Sequence, residues 1–187
     1  MAGRIVLLNG VPRAGKSSIA RALQESGDWM ILGVDAMMAM MPSRLHPGIG
    51  LRPGGERPEL EDFVQRSYAG LFGALAAFAD SRLDVVSDVG LHDGYRSPLG
   101  LAGLAQRTLA PYQPFWVSVQ CPLPEIMRRR NMDPDTRYLR GEDVPEPVRR
   151  WQESVHTGLP YDLIVDTAVL SPQACADRIV AALASRF

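Results

Sequence analysis

Eight consecutive residues near the start of the chain constrain it more than any other feature. Gly10-Val11-Pro12-Arg13-Ala14-Gly15-Lys16-Ser17 fits the pattern G-x-x-x-x-G-K-[ST]. The run Arg4-Ile5-Val6-Leu7-Leu8-Asn9 before it has strand character, and Ile19, Ala20, Ala22 and Leu23 follow at helical spacing. A strand, a glycine-bracketed turn and a helix in that order make a loop whose backbone N–H groups face inwards, backed by the positive end of the helix. Such a loop cradles phosphate oxygens. Gly10 and Gly15 let the backbone turn. Val11, Pro12, Arg13, Ala14 and Ser18 complete the wall around the phosphates. Lys16 reaches the β- and γ-phosphates, and the Ser17 hydroxyl is placed to ligate Mg²⁺. With this composition the pattern arises by accident in roughly 1 in 1,000 chains. A nucleoside triphosphate, ATP with Mg²⁺, is the expected ligand.

Composition sharpens this reading. Lysine and arginine total 20, yet Lys16 is the only lysine. A GTPase switch reads guanine through an Asn-Lys-x-Asp motif, which this chain cannot supply. Motor ATPases are longer and carry further subdomains. A chain of 187 residues with an arginine-rich stretch late in the sequence suits a small-molecule kinase. The net charge of −1 gives no basic face for nucleic acid. No apolar run approaches the ~20 residues that cross a bilayer, and no signal-peptide pattern opens the chain. Two cysteines, Cys121 and Cys175, in apolar surroundings read as reduced core residues of a cytoplasmic protein.

Strand and helix alternate along the whole length. Strands are expected at 4–9, 29–34, 83–87, 115–121 and 163–165. Helices are expected at 17–26, 36–41, 59–80, 98–109, 147–156 and 171–185. Leu60, Phe63, Tyr68, Leu71, Leu75 and Phe78 mark the inner side of the long helix, and Ser171 caps the last one with Pro172 at its first position. Residues 43–58, rich in proline and glycine, read as a loop. Apolar strands alternating with helices predict an α/β P-loop NTPase fold: a five-stranded parallel sheet covered on both faces, with a small lid. No repeat or linker divides residues 1–187, which are expected to form a single domain.

At this point the chain resembles the chloramphenicol phosphotransferase family, P-loop kinases that phosphorylate a hydroxyl of an antibiotic and share their fold with nucleotide and shikimate kinases. The resemblance rests on residues 5–18, on Gly33-Val34-Asp35-Ala36-Met37-Met38 followed by Met41-Pro42, and on residues 85–89. It continues through residues 117–121, Arg140-Gly141-Glu142, Val155-His156, Tyr161-Asp162 and Val165-Asp166-Thr167. It implies that Asp35 is the general base on the acceptor hydroxyl. Asp35 follows the second strand, where α/β sheets bind ligands. An aspartate there also suits an N-cap for the helix over 36–41, and both roles stand open.

Four further groups are candidates. Asp88 ends the third strand like a Walker-B carboxylate and suits a Mg²⁺-bound water, or else a turn beside Gly90. His92 and Asp93 follow it as acceptor contacts or as a polar loop tip. Arg128, Arg129, Arg130, Arg137 and Arg140 border or fill a lid over about 131–144. The resemblance carries Arg140, with Arg137 near it, as clamps on the transferring phosphate, while Arg128, Arg129 and Arg130 divide between stacking on the adenine ring, for which Arg128 is the candidate, and solvent. Met37, Met38, Met40 and Met41 divide between core filler and the floor of an acceptor pocket over about 36–70, helped by Phe63 or Tyr68.

The expected activity is transfer of the γ-phosphate of ATP to a small-molecule hydroxyl, with an antibiotic such as chloramphenicol as acceptor. A kinase for an endogenous nucleotide, sugar or coenzyme precursor is the first alternative. A non-catalytic nucleotide-binding regulator is the second. No nucleic-acid or membrane partner is expected, and the sequence leaves a homo-oligomer open.

Overall fold

A computed structural model describes residues 2–47, 57–92, 94–132 and 143–186. β1 (Ile5–Asn9) is buried at all five positions. Only an interior strand of a sheet covered on both faces can bury every residue. It lies at the centre of a five-stranded parallel sheet with β2 (Trp29–Ile31), β3 (Asp84–Val89), β4 (Phe115–Gln120) and β5 (Leu163–Asp166), in the order β2-β3-β1-β4-β5. Alternate side chains of β1 serve two cores. Val6 and Leu8 pack with α1 (Lys16–Ser26) and α7 (Pro172–Arg186) through Ile19, Leu23, Ile179 and Leu183. Ile5 and Leu7 pack with α3 (Glu61–Asp80) and α4 (Leu101–Leu109) through Leu71, Phe72, Leu75 and Leu109. The predicted parallel sheet with helices on both faces is what the chain forms.

Several boundaries differ from the sequence expectation, each for a local reason. β2 stops at Ile31 rather than running to 34. Leu32 still donates to the Val86 carbonyl, but Gly33 then leaves the sheet and α2 (Val34–Ala39) begins at once. Gly33 therefore stands at the N-cap, and Asp35 lies inside the first turn without capping the helix through its side chain. The core side of α3 is Val64, Tyr68, Leu71, Phe72, Leu75 and Ala79, while Phe63 and Phe78 sit half-buried on its flanks. Leu60 precedes α3 in a single 3₁₀ turn, Pro58–Leu60. The arginine-rich stretch begins as a helix, α5 (Leu123–Met132), with Glu125 in its first turn and Arg129 and Arg130 in its last, both favourable to the helix dipole. α6 (Glu146–Ser154) follows Pro145. At α7 the expectation holds: the amide of Ala174 donates to the Ser171 hydroxyl at 3.1 Å. Both cysteines are buried and free. No described helix is long and apolar enough to cross a membrane.

The register places the site. Leu8 pairs with Asp88 and Asn9 with Val89, so the loop leaving β1 and the Asp88 carboxylate, one residue inside the end of β3 rather than at the end expected, emerge side by side. β3 and β4 flank β1; the connection from β1 runs to the β2 side, whereas that from β3 crosses to β4 on the other side, which opens a crevice at the strands' carboxyl ends.

Candidate active site

The phosphate loop is shaped by two left-handed residues. Gly15 has φ 97°, which glycine adopts without cost, and Arg13 has φ 69°, where a side chain is unusual. Gly10 has no positive φ. A Cβ there would run into the Val119 carbonyl, so its lack of side chain serves close packing on β4 rather than the turn expected of it. α1 starts on Gly15 with no side-chain cap and no acidic residue in its first turn. Its free N–H groups and positive end therefore face the crevice.

Lys16 folds back over the loop and donates to the carbonyls of Gly10 at 2.8 Å and Val11 at 2.9 Å. Burial pulls its ammonium down to about 8, against the pull of the Asp88 and Asp35 carboxylates. Ser17 donates its hydroxyl to Asp88 Oδ2 at 2.6 Å. Asp88 is 7% exposed, and Gly33 makes room for it: a Cβ at position 33 would overlap the carboxylate. The glycine of the Gly33-Val34-Asp35 segment is thereby explained by contact, since its extended backbone would accept any residue. Ser17 and Asp88 are hard oxygen donors in adjacent places. They fit Mg²⁺, which takes one or two protein oxygens and completes its shell with water and phosphate. Among the described residues no cluster of three or more His, Cys, Asp or Glu offers an all-protein metal cage.

A second set of contacts holds the loop from outside. Arg129 donates to the carbonyl of Arg13 at 3.2 Å, to Thr167 Oγ1 at 3.0 Å and to the Thr167 carbonyl at 2.7 Å. Thr167 in turn donates its hydroxyl to the Ala14 carbonyl at 2.7 Å. Glu125 receives both Arg128 and Arg129, which pull its carboxyl down to about 2. Sequence reasoning set Arg129 and Arg130 aside as solvent-facing or base-stacking. Arg129 braces the loop, and Arg130 is buried at 5% exposure. No motif spacing announces the role of Arg129, because Arg13 and Thr167 lie far away in the chain.

A cleft of about 750 Å³ runs along this surface. At one end it is lined by Pro12, Arg13, Gly15, Lys16, Ser17 and Ser18, with Gly10, Val11 and Ala14 behind them, and Arg128 and Met132 close its rim. At the other end stand Asp35, Met37, Met38, Met41, Tyr68 and Tyr95. Met40 is 75% exposed and points away, and Phe63 does not reach the cleft. His92 departs from the polar loop tip expected. It is 7% exposed, stacked on Tyr95 at 4.4 Å and tilted against Trp151 at 4.7 Å, and burial, aided by Arg150, pushes its pKa down to about 4. Arg137, Arg140 and Asp93 lie outside the described residues, as do 48–56 of the proline- and glycine-rich loop.

The chain matches the sequence profile of the chloramphenicol phosphotransferase-like proteins over residues 3–184. It belongs to that family. Membership carries the coarse activity: a nucleotide-binding phosphotransferase acting on small molecules. Solved structures agree on the fold. An unliganded sugar kinase from Janibacter sp. HTCC2649 superposes with TM-score 0.70 at 15% identity, covering 97% of this chain and 95% of its own. The Mycobacterium tuberculosis APS kinase in complex with AMPPNP and APS gives 0.64 at 16% identity, covering 98% of each chain. The Deinococcus radiodurans tunicamycin resistance protein gives 0.60 at 18% identity, covering 97% of this chain and 95% of its own. No curated protein matches the chain by sequence.

Proposed function

We propose that this phosphotransferase moves the γ-phosphoryl group of ATP to a hydroxyl of a neutral, partly apolar small molecule, and that it inactivates an antibiotic such as chloramphenicol in this way. The observation that carries the reading is the division of one cleft. Lys16, Ser17 and the start of α1 stand at one end, and Asp35 stands beside a methionine- and tyrosine-lined compartment at the other. Every arginine lining the cleft belongs to the loop, α1 or α5 (Arg13, Arg21, Arg128, Arg129), on the nucleotide side. Among the described residues the compartment around Asp35 offers no cation to an anionic acceptor beyond Lys16, which serves the phosphates. That weighs against a phosphorylated or carboxylated metabolite.

In this reading the acceptor oxygen attacks the γ-phosphorus, the bond to the β–γ bridging oxygen breaks, and ADP leaves. Asp35 orients the hydroxyl and takes its proton as the new P–O bond forms. Lys16 shifts from the loop carbonyls to the phosphates and neutralises charge that builds on the bridging and γ-oxygens. Ser17 and Asp88 would hold Mg²⁺, which supplies charge neutralisation on the phosphates. Met37, Met38 and Tyr68 exclude water from the acceptor, which suppresses hydrolysis of ATP.

The test is a panel of hydroxyl-bearing antibiotics, nucleosides and sugars assayed for acceptor-dependent ADP release, with Lys16→Ala as control. The expected result is transfer to chloramphenicol or a related aryl-diol, reduced at least ~100-fold in folded Lys16→Ala. Transfer only to a sugar or nucleoside would overturn the antibiotic assignment. Undiminished turnover in the control would overturn the site.

A further inference from the structure

Asn9 ends β1, directly before the first residue of the phosphate loop. Its side chain is fully buried (0% exposed) in an otherwise apolar strand. A carboxamide brings two donor hydrogens and an acceptor oxygen that must be matched when buried. All are matched here. Oδ1 accepts the Leu91 amide at 2.7 Å. Nδ2 donates to the Val155 carbonyl at 2.7 Å and to Tyr161 Oη at 2.7 Å. Only one orientation of the amide works, because the flipped form would set oxygen against the Val155 carbonyl and NH₂ against the Leu91 N–H.

Two of the three partners adjoin residues that line the cleft. Leu91 lies three residues beyond Asp88, next to Gly90, which lines the cleft and packs under Trp151. Val155 follows α6, which carries Trp151. The hydroxyl of Tyr161, which accepts from Asn9, pairs with His156 Nδ1 at 2.9 Å, and the same nitrogen lies 3.2 Å from Ser118 Oγ of β4. The polar chain thus ties β1 and β4 to the segments after β3 and α6. The phosphate loop itself has separate supports in Arg129 and Thr167 on its outer side.

We propose that Asn9 is a positioning residue for transfer: it holds the β3–α4 segment around Gly90 and Leu91, and the end of α6, at a set distance from the phosphate loop, so that acceptor and γ-phosphate meet in line. This rests on the phosphotransferase reading of the cleft. Because the loop is braced independently, losing the amide leaves nucleotide binding in place and misaligns the acceptor wall. A displacement of about 1 Å can cost ~10²-fold in rate.

Asn9→Leu removes all three hydrogen bonds while keeping the number and branching of side-chain heavy atoms. The expected result is a fall in kcat for transfer of roughly 10–100-fold with MgATP Kd changed less than ~3-fold. Amide exchange over residues 89–92 should rise more than ~10-fold, while 10–17 remain protected by MgATP. If Asn9→Leu does not fold, Tyr161→Phe decides. It deletes one partner of the amide and should lower kcat by roughly 3-fold at unchanged MgATP Kd, with faster exchange over 89–92. Proportional losses of kcat and nucleotide affinity, or unchanged kcat and exchange in a folded variant, overturn the proposal. A wild-type protein that transfers phosphate to no acceptor overturns the phosphotransferase reading instead, and the exchange measurements then judge Asn9 alone.

Discussion

The two ends of the cleft are built on different physics. At the nucleotide end almost every contact is a hydrogen bond of defined geometry: Lys16 to two carbonyls, Ser17 to Asp88, Arg129 and Thr167 to the outside of the loop. Phosphate oxygens are the same in every nucleotide, so a fixed array of donors suits them. At the acceptor end Met37, Met38, Met41, Tyr68 and Tyr95 provide shape and little polarity, with Asp35 as the charged group among them. Methionine is unbranched and polarisable and adapts to irregular outlines. One end recognises a constant chemistry through directed bonds. In the proposed function the other accepts a variable one through a deformable surface.

Asp35→Asn tests this contrast with the largest expected effect. Asn has nearly the same shape and cannot take a proton, so the transfer rate should fall by ~10² to 10⁴-fold. Asp35 lies in the first turn of α2 and does not cap it, so stability should change by no more than about 1 kcal/mol, the worth of a carboxylate near a helix N-terminus. Rate, MgATP affinity and melting temperature on this variant separate a base from a metal ligand, because a ligand's loss would weaken MgATP binding together with the rate.

Arg129→Ala should act on the opposite end. It releases the carbonyls of Arg13 and Thr167, and the expected result is MgATP binding weaker by roughly 10-fold, with acceptor KM nearly unchanged. A variant that alters acceptor KM while sparing nucleotide affinity would erase the proposed division between the two ends.

The smallest effect concerns pH. Burial lowers Lys16 to about 8, below its value in an unfolded chain. Between pH 8 and 10.5 the unfolded state therefore holds the extra proton, so this group makes stability rise with pH over that window and penalises the fold below it. A bound triphosphate favours the charged ammonium and should restore its proton. MgATP binding is thus expected to take up a fraction of a proton near pH 8.5, and affinity should weaken as pH rises above 8. Calorimetry in two buffers of different ionisation enthalpy measures the uptake. Asp35→Asn, by removing one of the two carboxylates that sustain the ammonium, should move the onset to lower pH.

The nucleotide end was legible in the sequence because its information is local. Gly10 to Ser17 are contiguous, the strand before them follows from a continuous apolar run and the helix after them from period-3.6 patterning, and the lone lysine marks the place. The alternation of apolar strands with helices made the sheet legible for the same reason. The braces and the hub were not. Arg129 reads as one of three consecutive arginines, and Asn9 as the polar end of an apolar run. Their roles depend on partners that are 116 and 38 residues distant for Arg129, and 82, 146 and 152 for Asn9. His92 misled in the other direction. A histidine in a glycine-containing loop has the composition of an exposed tip, but packing against Tyr95 and Trp151 of a distant helix buries it.

What the sequence by itself determined is the class of ligand and the sheet that presents it, since a phosphate loop needs only neighbours in the chain to form. What the tertiary structure decided is which side chains meet around the candidate site. Gly33 gives way to the Asp88 carboxylate across two strands, Arg129 reaches the loop from α5, and Met40 alone of its cluster turns outward. Each depends on where separate elements meet. Burial and hydrogen bonding between distant segments reward contacts that no local pattern records, so those residues take their roles only when the fold closes.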